Sequence, residues 1–288
     1  MRGSAGRDQL IVYDGSNNRG WGPAAWLDMF REARESRELI WRLFLRDFTA
    51  RYKETVLGLA WAVIMPVIAV GSFIFLNRTG VLNVGEVEVP YPAYALLGLT
   101  IWQVFAGGLV SCSEAIMAGG SMVSKINFPK ESLVIAAFGQ ALADMLVRLL
   151  LVIAVFAYYR LMPPLASLLF PLALIPIMLF TLGLGLGLSL LNALMRDVAN
   201  IVTIATTFLL FLTPVLYAPP RSGAFALLSR YNPLAALVTG PRDLVLKGYL
   251  SDPGGFALAG VLAAVVFILS WRLFHLAETR IAERIGAR

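Results

Sequence analysis

Asp144 and Arg148 are the charged residues set deep in an otherwise uncharged apolar run, and they stand four residues apart. On one helix that spacing gives them a shared face, where a carboxylate and a guanidinium can pair and offset most of the cost either would carry alone in hydrocarbon. Two readings stand: a self-neutralising pair at a helix or subunit interface, or a polar point on a transport path. A proton-coupled carrier would ordinarily set several acidic or His positions at such depth, whereas the lone carboxylate here has a partner. Nucleophilic catalysis would have to use His275, the only histidine, at the end of the last apolar run, and no G-x-S-x-G occurs. The single cysteine, Cys112, excludes an internal disulfide and leaves no His/Cys set at metal-ligand spacing, so it reads as a small apolar packer. The sequence also lacks G-x-x-x-x-G-K-S/T. The run Gly183-Leu-Gly-Leu-Gly187 imitates a nucleotide fingerprint but lies inside an apolar segment, where small residues mean close helix packing. No catalytic residue and no metal site are expected, the chain is not expected to be an enzyme, and any ATP motor must be another polypeptide.

The elements that must hold these residues follow from composition. Of 288 residues, 58% are hydrophobic and 15% charged, against about a quarter charged in ordinary soluble domains. The apolar residues gather into runs of about 20, the length a helix needs to cross roughly 30 Å of hydrocarbon. Six spans are expected, near 57–76, 92–112, 133–158, 168–191, 198–217 and 255–276, giving an all-α polytopic membrane protein. Ten Lys/Arg in the first 56 residues and four after Trp271, against Arg78 and Arg160 in the first and third loops, put both termini in the cytoplasm. The formal net charge of +6 thus reads as a topology signal and not as a nucleic-acid footprint.

Residues 1–23 are polar and rich in Gly, Asn and Arg, and a loosely ordered cytoplasmic segment is expected there. Over 24–56 a helical period aligns Trp26, Phe30, Ala33, Ile40, Trp41, Phe44 and Phe48 opposite Arg31, Glu35, Arg42, Arg46 and Lys53, the pattern of a helix lying in the membrane surface. Arg37 falls on the apolar face and marks a break or snorkels to headgroups. Residues 218–253 should face outward yet carry Arg221, Arg230, Arg242 and Lys247. Their short apolar stretches are punctuated by prolines, which suits re-entrant helices before the last span. Residues 277–288 form a cytoplasmic tail. Aromatic residues cluster toward span ends. Most read as interfacial belt or core, and a minority lining a channel could stack on sugar rings.

The segment Arg46-Asp47, then Arg51-Tyr52-Lys53-Glu54-Thr55-Val56-Leu57-Gly58 with Trp61 and Pro66, resembles the ABC-2 type permeases that export bacterial surface polysaccharides. The match continues through Val89-Pro90-Tyr91-Pro92, Gly98-Leu99, Trp102, Lys125, Phe128-Pro129-Lys130-Glu131, Arg196-Asp197, Thr213-Pro214-Val215, Tyr217, Asn232-Pro233 and Arg242-Asp243. Exporters of O-antigen, teichoic acid and capsule are the most similar. Glu54, where glutamine is more usual, and Arg148 are departures.

The resemblance implies a half-transporter. Two copies of the chain would form a channel through the bacterial inner membrane, with two copies of a cytoplasmic ABC ATPase that uses ATP and Mg, this chain binding no cofactor. The implied cargo is a polyprenyl-diphosphate-linked polysaccharide, O-antigen above all. Residues 122–131, with Ser124, Lys125, Ile126, Asn127, Phe128, Pro129, Lys130 and Glu131, resemble the coupling helix seated on the ATPase, Phe128 as apolar anchor and Lys125 and Lys130 as charged rim. Arg46, Arg51 and Lys53 would either anchor to lipid headgroups or meet the diphosphate. Trp61, Trp102, Phe105, Tyr217, Arg221 and Tyr231 are candidates for channel or gate. Small-molecule or lipid export is the alternative within the same architecture. A secondary carrier or an intramembrane enzyme of lipid-linked sugars would need a midplane ion site or exposed carboxylate clusters, which the sequence does not offer.

Overall fold

The computed structural model describes residues 23–53, 60–79, 87–120, 122–123, 128–219 and 223–286. Its elements are α1 (Pro23–Glu35), α2 (Arg37–Lys53), α3 (Trp61–Arg78), α4 (Tyr91–Ala118), α5 (Glu131–Tyr158), a 3-10 turn (Leu165–Leu169), α6 (Phe170–Ala173), α7 (Ile175–Leu194), α8 (Val198–Leu212), α9 (Ala224–Tyr231), α10 (Pro233–Leu246) and α11 (Pro253–Gly286). No strand occurs among the described residues. Among the described residues four stretches are long and apolar enough to cross a membrane: Tyr91–Ala118, Glu131–Tyr158, Leu165–Leu194 and Pro253–Ala277.

The first and fifth expected spans are shorter apolar helices, Ile64–Phe75 within α3 and Val198–Leu212. At about 1.5 Å per residue α8 reaches only ~22 Å. The expected span to residue 217 ends early because Pro214 has no N–H and pushes Thr213 out of the helical region, to φ −110° and ψ 132°. The surface-helix segment is two helices that meet at Ser36, one residue before Arg37.

α4 is the central helix: 78% of its apolar window is buried, against 22% for α5 and α11. Its neighbours are α5 and α7, and α7 in turn packs along α11. The register is legible in small residues. Gly108 lies against Thr181 of α7 and Phe138 of α5, and Gly185 lies against Cys112, while Cys112 Sγ approaches the Val134 carbonyl at 3.6 Å. Moving from 108 to 112 on α4 therefore climbs α7 but descends α5, so α4 is parallel to α7 and antiparallel to α5. On the opposite side of α7, a methyl group on Gly183 would stand 2.7 Å from Phe267 Cα, so only glycine lets α7 and α11 meet backbone to backbone there. The bundle thus has two ends, one where α4 starts at Tyr91 and one where α5 starts at Glu131.

Candidate functional site

At the Tyr91 end, the chain leaving α8 is non-helical over 213–217, and in a membrane its carbonyls need donors. Four consecutive ones have them. Arg242 Nη1 of α10 donates to Pro214 O at 2.8 Å and Val215 O at 3.0 Å. Tyr91 Oη donates to Leu216 O at 2.9 Å and Tyr94 Oη to Tyr217 O at 3.0 Å. Asn232 Nδ2 donates to Thr213 Oγ1 at 3.0 Å, while Asn232 Oδ1 accepts from Leu234 N at 3.0 Å and caps α10. Arg242 is 1% exposed, with its guanidinium carbon 4.1 Å from the centre of the Tyr94 ring. Gly98 leaves room for the Val215 carbonyl. Asp243, next to it, faces Lys247 Nζ at 3.5 Å. Segments scattered through the sequence, Val89 to Pro92, Gly98, Thr213 to Tyr217, Asn232-Pro233 and Arg242-Asp243, thereby meet in one clamp that locks α10 and the 213–217 turn to α4. Their order along the chain carries no sign of this meeting. The only hint is that a buried arginine needs several acceptors.

At the Glu131 end, Ser124, Lys125, Ile126 and Asn127 lie outside the described residues. Phe128, Pro129, Lys130 and Glu131 are buried. The expectation of Phe128 and Lys130 as an outward anchor and rim is corrected for this chain: Phe128 belongs to its own apolar core, and Lys130 Nζ turns back to donate to Phe128 O at 3.2 Å, 5.5 Å above the Phe128 ring. Their burial follows from packing, since Gly119 lets Val123 and Leu133 close over the foot of α4. Glu131 Oε2 accepts a hydrogen bond from Trp271 Nε1 of α11 at 2.7 Å.

Along α5, the carboxylate of Asp144 stands 3.2 Å from Arg51 Nη1 of α2. The i, i+4 spacing with Arg148 does not foresee this partner from another helix. Nearby, Gln140 Nε2 donates to Phe44 O at 2.8 Å, and the Phe44 ring covers Gly139. α2 is thus docked on α5, and Arg51 is turned to a protein carboxylate. Arg46 pairs with its neighbour Asp47 at 2.7 Å on the exposed side. Lys53 ends α2, its side chain outside the described set.

Among the channel or gate candidates, Trp102 and Phe105 are corrected. Both are buried, packed on each other at 5.3 Å between ring centres, with Phe105 stacked on Phe180 of α7 at 6.1 Å. Their position on the central helix makes them core. Trp61 and Tyr231 are exposed, Tyr217 is partly buried with its hydroxyl donating to Phe211 O at 2.8 Å, and Arg221 lies outside the described residues. An open face that sequence reasoning missed runs down α8, its polar residues standing among the exposed Ile201 and Ile204. Only Val198, Val202 and Thr206 of that helix are buried, while Asn200, Thr203, Thr207, Phe208 and Phe211 are exposed. Thr203 and Thr207 satisfy their hydroxyl donors within the helix, on Ala199 O and Thr203 O, which leaves oxygen lone pairs for a passing hydroxyl. Burial at i, i+4, i+8 is a tertiary outcome that an all-round apolar helix does not announce.

A family model described as ABC-2 type transporter matches residues 38–246. Among curated proteins the chain is 26% identical over 241 residues to an O-antigen export system permease protein RfbA of Klebsiella pneumoniae, covering 83% of this chain and 91% of the relative. It is 27% identical over 261 residues to the protein of the same name from Myxococcus xanthus, covering 88% of this chain and 97% of the relative. A second Klebsiella pneumoniae relative of that name is 27% identical over 209 residues, covering 72% and 79%.

Proposed function

The chain belongs to the ABC-2 type transporter family, and on that premise we propose that it is the membrane subunit of an exporter carrying a lipid-linked O-antigen polysaccharide across the bacterial inner membrane. The observation that carries this reading is the near end-to-end match to permeases named for O-antigen export, up to 97% of the relative's length. In the proposed assembly two copies pair to enclose the passage, and a separate ABC ATPase supplies the motor and its ATP and Mg. The open face of α8 suits the cargo: hydroxyl and amide groups of Asn200, Thr203 and Thr207 alternate with Phe208 and Phe211, so sugar hydroxyls find acceptors while C–H faces pass over rings. The 122–131 segment, between α4 and α5 in the chain, is where the ATPase would bear on the bundle. With Phe128 in the core, residues 124–127 become the proposed contact surface. Arg46 and Lys53, near the end of α2, would face headgroups or the cargo diphosphate.

The test is purification of the tagged chain in mild detergent from its native membrane, followed by mass spectrometry and an ATP hydrolysis assay, together with deletion of its gene. A stoichiometric ATPase with co-purifying lipid-linked glycan, and loss of the surface glycan in the deletion strain, is the expected result. An intact surface glycan in the deletion strain would overturn the reading, and a co-purifying ATPase without glycan would move the cargo to a small molecule or lipid.

A further inference from the structure

The hydrogen bond between Glu131 and Trp271 spans 140 residues and joins α5 to α11, and α1 packs on the same indole. Glu131 is fully buried where the 122–131 segment becomes α5, and Trp271 is buried near the foot of α11. The indole is edge-on to Phe30 of α1 at 4.9 Å and 85°, edge-on to Trp26 of α1 at 6.5 Å and 76°, and 5.4 Å from Phe267 of its own helix. The next residue, Arg272, is also buried, with Nη1 3.4 Å from Met29 Sδ of α1. Packing alone would be met by an apolar residue at position 131 without the desolvation of a carboxylate. A buried carboxyl oxygen held by a specific donor instead fixes one register between the elements it joins. The segment leading to it is stiff, because Phe128, Pro129 and Lys130 are buried and Lys130 folds back on Phe128. α1, by contrast, leaves Leu27 and much of Phe30 uncovered on its far side.

We propose that the Glu131–Trp271 hydrogen bond is a strut that carries displacement of residues 128–131 to α11 and to the α1 packed on it. Both are positioning residues of the transport cycle, and the membrane-surface helix moves with the motor. This rests on the reading of 122–131 as the ATPase contact. A loop that merely connected α4 and α5 would pass such a displacement to those two helices alone.

The experiment uses the intact complex of this chain with its co-purifying ATPase in lipid nanodiscs. A spin label is placed at Leu27→Cys in a Cys112→Ser background, and spectra are taken before and after trapping with ATP and vanadate. Trapping is expected to change the label spectrum. Trp271→Phe keeps an aromatic ring against α1 but removes the N–H, and it should reduce that change severalfold. Glu131→Ala should do the same. Glu131→Gln keeps an acceptor oxygen and should retain the response within about twofold. ATPase co-purification should stay unchanged throughout. If Glu131→Ala does not assemble, Trp271→Phe and Glu131→Gln carry the test. A full response in Trp271→Phe, or an immobile α1 in an unsubstituted complex that hydrolyses ATP, overturns the strut. An unsubstituted chain that brings down no ATPase overturns the functional reading beneath it.

Discussion

Arg51 and Asp144 stand 93 residues apart in sequence and 3.2 Å apart in space, Nη1 to Oδ2. The contact lies on the order of 20 Å along α5 from its start, at about 1.5 Å per residue. A helix whose sequence reads as a membrane-surface element therefore reaches a polar point well up a spanning helix. The Gln140 bond to Phe44 O holds the same seam a turn lower.

Charge exchange tests that seam. The two side chains are 48% and 20% exposed, so the pair is partly screened and contributes about 1 kcal/mol or less. Arg51→Gln and Asp144→Asn should each lower the melting temperature of the detergent-solubilised chain modestly, and the double exchange Arg51→Gln with Asp144→Asn should cost less than the sum of the two. A double exchange as unstable as the sum of its parts would show that the two charges do not act on each other.

Arg242 is expected to be the most sensitive residue of the clamp. Arg242→Ala leaves the Pro214 and Val215 carbonyls without donors, each costing about 1–3 kcal/mol, and should prevent accumulation of folded protein. Arg242→Lys keeps the charge but loses the planar stack on Tyr94 that aims Nη1 at both carbonyls, and should expose the 213–217 turn to limited proteolysis. Tyr94→Phe removes a single bond to Tyr217 O, about 1 kcal/mol. Equal protease resistance in all three would remove the clamp as the support of this turn.

Two glycines of one helix should behave oppositely. Gly183→Ala drives a methyl group into the Phe267 backbone, and overpacking of that kind costs about 1–3 kcal/mol. At Gly187 the nearest atom to a new methyl is Ser270 Oγ at 3.9 Å, so Gly187→Ala should be neutral or slightly stabilising. Thermal unfolding followed by fluorescence in detergent reads both, and matched losses would mean that α7 and α11 do not meet at Gly183.

The α8 face and the α4 core separate transport from folding. Thr203→Val and Thr207→Val keep shape and remove only hydroxyls already bonded within the helix. Together they should reduce glycan export severalfold while the assembled complex stays at its normal level on blue-native gels. Trp102→Ala should instead deplete the complex, because loss of a buried aromatic costs about 3–5 kcal/mol. Normal surface glycan in the double Thr variant would take α8 off the cargo path.

Much of the architecture was legible before any coordinates. Apolar run length predicted six spans, and four of them are helices long enough to cross, because hydrocarbon thickness sets a length that composition must meet. Proline content predicted short helices over 218–253, and Pro233 and Pro253 each open a helix, where a missing N–H costs nothing. The break beside Arg37 followed from a charge on an apolar face, and the glycine run in α7 followed from its inability to fill space. Even the resemblance rested on short motifs in a fixed order.

What one dimension could not decide was which residues meet. Trp102 and Phe105 look like any aromatics at a span end until α4 proves to be the central helix and buries them. Phe128 looks like a docking anchor until the packed chain buries it in its own core. Asp144 has an obvious candidate four residues away, yet an arginine from α2 reaches it as well. Sequence alone determined which segments leave water and where each must end, because those are local balances between solvation and backbone hydrogen bonding. Only the tertiary structure decided the partners of buried charges and carbonyls, because a donor satisfies an acceptor by proximity, and proximity between segments 93 or 140 residues apart is created by packing alone.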